Sequence, residues 1–220
     1  MKNILFGVLF AIGSVAMLIL AYTQPTLPYG LVAPVPKEAW AVITGALCVW
    51  LTVVRHIWNF PIGIISSALF ADLFWDIKLF GDMNLQFFFI ALAIHGWYWW
   101  LKGGEDFTKL EVTRCKRGDW IFVAVGMLIG VPVLMLVLTK HGSAPFLDAF
   151  TTAGSIVAQI LLNRKKFENW ILWIIVDCIY VPLYWSKDLR LTAILYLVFL
   201  FMCVAGLNDW RDNLRERELA

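Results

Sequence analysis

The chain has 220 residues, 61% of them hydrophobic and 15% charged, with 12 Trp and 16 Phe. This composition belongs to an integral membrane protein and excludes a soluble globular domain. The formal charge of +2 gives no nucleic-acid signature, so the placement of the positive residues matters more than their sum.

The apolar runs are continuous rather than alternating, which predicts membrane-spanning helices and not a barrel. The first, Ile4 to Tyr22, is uncharged and follows Lys2. It is longer than the apolar core of a secretory signal, about 7–15 residues, and no clean cleavage site follows, so it reads as a retained helix. Residues 23–37 hold four of the eight prolines and read as an external connection. Further apolar segments lie near 39–54, 57–75, 83–101, 120–138, 149–163, 169–185 and 191–208, which makes eight spans. The longest connection between them, 102–119, carries both signs of charge.

Alternate sides of these spans differ in charge. One side collects 13 of the 18 Lys and Arg, including Arg55, Arg164, Lys165, Lys166 and five from 102–119; the other has Lys37, Lys78, Lys140, Lys187 and Arg190. The richer side is expected to be cytoplasmic, with both termini inside.

Laying residues 41–101 on 151–211 without a gap gives 11 identities in 61 positions. They include Asn59 on Asn169, Trp75 on Trp185, Gly96 on Gly206 and Trp100 on Trp210. Each unit holds three spans with one helix between the units, so both face the same way and the repeat is parallel. The expected organisation is an N-terminal helix and connection (1–37), a first three-helix repeat (38–101), a loop and linker helix (102–147), a second three-helix repeat (148–212) and a tail (213–220).

The segment NWILWIIVDCIYVPLYW, from Asn169 to Trp185, carries one central acid, Asp177. Trp170, Trp173, Asp177, Tyr180 and Tyr184 fall at i, i+3, i+7, i+10 and i+14, one stripe of a helix. An intramembrane acid is costly without a partner, a wet cavity or a ligand. An aromatic stripe beside it suits a flat cationic ligand; a packed helix whose Asp meets a neighbour's hydroxyl is the plainer alternative. The first repeat places Phe60, Gly63, Ser67, Phe70 and Phe74 on the matching stripe, aromatic and uncharged. Gln86 and Asn208 add amides that both give and accept hydrogen bonds, although Asn84 and Asn208 also suit an interfacial role. Asp72 and Asp76 lie one turn apart near an outer helix end; Asp72 is retained as a second-tier ligand candidate.

His56, His95 and His141 are scattered and the four cysteines show no paired spacing, so neither a metal site nor a disulfide framework is expected. No phosphate-binding glycine loop is present and no cofactor is implied. A helical membrane receptor or sensor is the alternative from another class, but no span carries the lysine a retinal-type Schiff base needs, which weighs against its photosensor form. An intramembrane enzyme needs clustered acids, histidines or a nucleophile with its base, and only Asp177 is central.

The strings WNFPIG near residue 58, HGWYWW from His95, NWILWIIVDCIYVPLYW and GLNDWR from Gly206 resemble the bacterial PnuC family of vitamin transporters over about residues 38–212. The three-plus-one-plus-three order resembles the SWEET sugar transporters. The resemblance implies a SWEET-like fold and a homotrimer in the bacterial inner membrane. It implies facilitated diffusion of nicotinamide riboside, trapped by a cytoplasmic kinase that phosphorylates it. Relatives that carry thiamine, riboflavin or deoxynucleosides keep the vitamin open. For such a substrate, Asp177, Tyr180, Tyr184 and Trp173 supply charge and ring faces, with Gln86, Asn208 and Asp72 as further candidates.

Overall fold

The computed structural model describes residues 13–15, 19, 22, 36–76, 80–138, 145–186 and 190–219. Among them the secondary structure is helical: α1 Pro36–Val53, α2 Asn59–Asp76, α3 Phe80–Lys102, α4 Arg117–Leu138, α5 Pro145–Asn163, α6 Asn169–Ser186 and α7 Arg190–Glu218, with a 3₁₀ turn at Glu105–Phe107. Most of the expected first span and its proline-rich connection fall outside the described residues, as do Lys78, Lys140 and Lys187.

Three described stretches, Arg117–Leu136, Phe146–Asn163 and Ala193–Glu218, are long and apolar enough to cross a bilayer, and Asn169–Leu183 forms a shorter apolar helix. Leu128, Leu136 and Ile129 on α4 are exposed, the arrangement expected where lipid and not water is the solvent.

The chain forms two compact units. The first comprises Met1–Val49 with Trp58–Ala91. Within it α1 and α2 approach closely because small residues line their contact: a Cβ on Gly63 would lie 2.9 Å from Cys48 Sγ, and one on Gly45 3.1 Å from Ser66 Oγ. Ser66 Oγ donates to the Ala41 carbonyl at 3.0 Å, so the buried hydroxyl is satisfied across the helices.

The second unit comprises Trp50–Ile57 with Leu92–Ala220. Here α4 packs on α5, α5 on α6, and α6 along α7. Gly126 and Gly130, one turn apart on α4, seat Val157 and Ala153 of α5. A small core of Val123, Val157 and Leu161 joins these helices.

Helix ends recur in the register of the sequence repeat. Laying Asn59 on Asn169 also lays Asp76 on Ser186, so α2 and α6 begin and end at matching positions. α1 and α5 also stop the same way: Arg55 N–H donates to Thr52 O and His56 N–H to Leu51 O, while Lys165 N–H donates to Leu162 O and Lys166 N–H to Leu161 O. Both ends are Schellman motifs, with Arg55 (φ 57°) and Lys165 (φ 51°) at the left-handed position that glycine usually fills.

Candidate functional site

α6 has 18 residues, a length of about 27 Å at 1.5 Å per residue, and Asp177 lies at its middle. The residue is 3% exposed. Its hydrogen-bond partner is a thiol: Cys203 Sγ donates to Asp177 Oδ2 at 3.4 Å. A thiol is a weak donor, and an acid at this depth calls for a stronger partner. The arrangement therefore leaves Asp177 able to receive a cation or a hydroxyl-bearing ligand.

The α7 face opposite repeats the spacing of the α6 stripe. Tyr196, Phe199, Cys203, Gly206 and Trp210 fall at i, i+3, i+7, i+10 and i+14, and their contacts run in reverse order along α6, so the two helices are antiparallel. At one end Tyr180 meets Tyr196, ring centroids 4.6 Å apart, and Tyr196 meets Phe199 edge-on at 5.9 Å. In the middle stand Asp177 and Cys203. At the other end Trp170 lies edge-on to Trp210 at 5.5 Å, and a Cβ on Gly206 would come within 2.5 Å of the Trp170 ring. Among the described residues the indole N–H of Trp170 and the side-chain oxygen of Asn169 are buried without a hydrogen-bond partner, a cost of about 1–3 kcal/mol each. Tyr196 and Cys203 are partners not anticipated from the sequence. Their periodicity is present there, but on a stretch so uniformly apolar that no polar contrast marks the face.

The other expected residues are distributed. Trp173 is half-buried one turn before Asp177, and Tyr180 is half-buried one turn after it. The Tyr184 side chain lies outside the described set, although its backbone continues α6. Gln86 is half-buried on α3 within the first unit. Asn208 is exposed, and its Oδ1 accepts from Arg211 Nη2 at 2.9 Å. Five residues beyond Cys203, it points about 140° away from that thiol around α7, so the structure does not bring it to Asp177. Asp72 is exposed as well, and with Asp76 it clasps Lys37, each carboxylate 2.6 Å from the ammonium. Among the described residues no three His, Cys, Asp or Glu side chains converge as a metal site.

Beyond the tryptophan end of the α6–α7 pair, backbone carbonyls and basic side chains tie loops to helices. Trp100 Nε1 donates to Leu162 O at 3.1 Å, and Trp210 Nε1 donates to Thr52 O at 3.2 Å. Trp100 and Trp210 are equivalent in the sequence repeat, and so are Thr52 and Leu162, so each tryptophan caps the helix end belonging to the other half of the pattern. Thr113 bridges to Lys166 in a short parallel pairing, and Lys165 Nζ reaches Leu110 O at 2.7 Å. Arg55 pairs with Asp209, and Arg217 with Glu111. Burial, then Glu168, whose carboxylate accepts from the Cys115 backbone N–H, pushes the Cys115 thiol up to about 12.

Comparison with known proteins extends these observations. The family profile described as nicotinamide mononucleotide transporter matches residues 36–212. The nicotinamide riboside transporter PnuC of Escherichia coli (strain K12) is 29% identical over 208 residues, covering 82% of this chain and 87% of the relative. PnuC of Neisseria mucosa is 31% identical, covering 77% of this chain and 70% of its own length. The riboflavin/roseoflavin transporter RibM of Streptomyces davaonensis is 27% identical, with 76% and 81% covered. A crystal structure of the vitamin B3 transporter PnuC matches with a TM-score of 0.74 and 25% identity over 98% of this chain and 92% of that one. With a helical fold, a profile match over most of its length and a relative at 31% identity, the chain belongs to the nicotinamide mononucleotide transporter family.

Proposed function

We propose that this protein takes up nicotinamide riboside through the bacterial inner membrane by facilitated diffusion, and that a cytoplasmic riboside kinase traps the product. The observation that carries the reading is Asp177, buried at the centre of α6 with a thiol beside it and tyrosine rings one turn away. A pyridinium riboside offers a cation for the acid, a flat ring for the aromatics and hydroxyls for hydrogen bonds. The PnuC relatives, named for nicotinamide riboside, support the same cargo. The proposed binding groups are Asp177, Tyr180, Tyr184 and Trp173, with Tyr196 and Cys203 completing the wall. Gln86 is kept as a candidate on its amide chemistry alone. Asn208 and Asp72 are set aside as direct ligands, because Arg211 and Lys37 already engage them.

The finer architecture belongs to the same proposal. Eight spans arranged as three plus one plus three are supported by helix ends and tryptophan caps that recur in the register of the sequence repeat. Cytoplasmic termini are supported by the basic side chains gathered with Arg217 near the end of α7. A homotrimer rests on the family resemblance. Cysteine labelling at Lys140 and Lys187 should find both positions outside; labelling of Arg164 or Arg215 from outside overturns the topology.

Uniport is supported by the partner of Asp177, which is a thiol and not a second acid of a proton relay. Proteoliposomes containing only this protein should fill with labelled nicotinamide riboside to equilibrium, at initial rates unchanged when the proton gradient is collapsed. Accumulation above equilibrium refutes uniport, and absence of flux refutes the transport reading. The likeness to RibM favours riboflavin as the second cargo, so riboflavin, thiamine and a deoxynucleoside belong in the same assay.

A further inference from the structure

We propose that a cavity beside the ends of α1, α3 and α5 is an anion site that takes a phosphate group, separate from the Asp177 stripe and independent of the cargo assignment. The cavity holds about 230 Å³, and Arg55, Lys109 and Lys165 line it together with His56 and Trp100. It is smaller than the roughly 300–1,000 Å³ of pockets that enclose whole small molecules, so it suits a headgroup rather than a complete nucleoside.

Arg55 and Lys165 are equivalent positions of the sequence repeat, and each occupies a left-handed helix-end position at which glycine is the usual residue. The same backbone device thus turns two cations toward one space. The dipole of a helix C-terminus favours a cation at each of these ends. It does not account for Lys109, which comes from the loop and not from a helix end.

The carboxylates facing this cluster do not balance it. Asp209 of α7 pairs with Arg55, and Glu111 of the loop is shared with Arg217 of α7. Lys165 Nζ has neutral contacts, the Leu110 carbonyl and the Trp100 ring 4.3 Å away. Burial lowers the Lys165 pKa to about 8, with Arg55, Lys109 and Arg217 adding to the shift and Glu111 opposing it. A bound anion offsets this crowding of positive charge, and ammonium and guanidinium groups donate charge-assisted hydrogen bonds to phosphate oxygens.

Two sources carry the same chemistry: a soluble phosphomonoester, or the phosphate of an anionic lipid. The test uses thermal unfolding of the purified full chain in neutral detergent at constant ionic strength. One arm titrates adenosine 5′-monophosphate against chloride; the other titrates short-chain phosphatidylglycerol against phosphatidylcholine. A saturable rise in Tm with either probe is expected. In Lys109→Gln the half-saturating concentration should rise about tenfold, the loss expected of one charge-assisted bond. Lys109 is exposed, so this variant keeps the fold. A response confined to the first arm assigns a soluble ligand, and one confined to the second assigns lipid. No saturable response in either arm, or equal half-saturation in wild type and Lys109→Gln, overturns the site.

Discussion

The pair α6 and α7 and the pair α2 and α3 differ in a way that separates structure from function. Laid on each other in the register of the repeat, the two pairs keep Gly96 with Gly206 and Trp100 with Trp210, but replace Asp177 by Ser67, Tyr180 by Phe70, Cys203 by Ala93 and Tyr196 by Gln86. The retained positions include those of the helix crossing and the indole caps: Gly206 lies under the Trp170 ring, and both tryptophans donate to helix-end carbonyls. The polar positions that diverge run from the middle of the stripe, where α6 and α7 put an acid and a thiol, to its tyrosine end, where they put two phenols. The lesson is that the repeat supplies the frame, and the departure from it supplies the chemistry.

The largest effect expected from breaking this frame comes from Gly206→Val. Even a Cβ there meets the Trp170 ring at 2.5 Å, so the larger side chain should destabilise the protein by about 3 kcal/mol, at the upper end of overpacking costs. A fall in Tm reads it out, and an unchanged Tm would show that Trp170 moves aside freely.

A smaller effect is expected where the pairs diverge. Tyr180→Phe keeps the ring against Tyr196 and removes a hydroxyl, so substrate binding should weaken by about 1 kcal/mol, measurable by calorimetry. The mirrored change Ser67→Ala should stay within about 0.5 kcal/mol in binding. A larger loss at Ser67 than at Tyr180 would reverse the asymmetry.

The basic end adds a pH dependence. With its pKa lowered to about 8 in the folded chain, Lys165 is charged at a cost below pH 8, while the unfolded chain holds that proton up to about 10.5. The unfolded state binds more protons between these values, so the Lys165 contribution to stability rises with pH across that window. Lys165→Gln should flatten that part of the curve of Tm against pH.

What the sequence made legible follows the same division. Long apolar runs announced the helices, and a carboxylate inside one of them announced α6 because nothing else in that run is charged. Cys203 and Tyr196 stayed hidden because they are apolar or aromatic among similar neighbours on α7. Asn208 drew notice as an amide, yet its angle around the helix sends it elsewhere. The loop lattice was illegible for another reason: Lys165, Lys166 and Arg217 each donate to a backbone carbonyl, of Leu110, Arg114 and Val112 in turn, and a carbonyl has no sequence signature.

The central claim is that Asp177 serves the substrate and not the packing of α6 on α7. Calorimetric titration of nicotinamide riboside into wild type and Asp177→Asn protein of equal Tm tests it most directly. Losing the charge while keeping the shape should weaken binding by about 1.5–3 kcal/mol, roughly tenfold or more. Equal affinity in the two proteins would contradict the account and return Asp177 to a structural role.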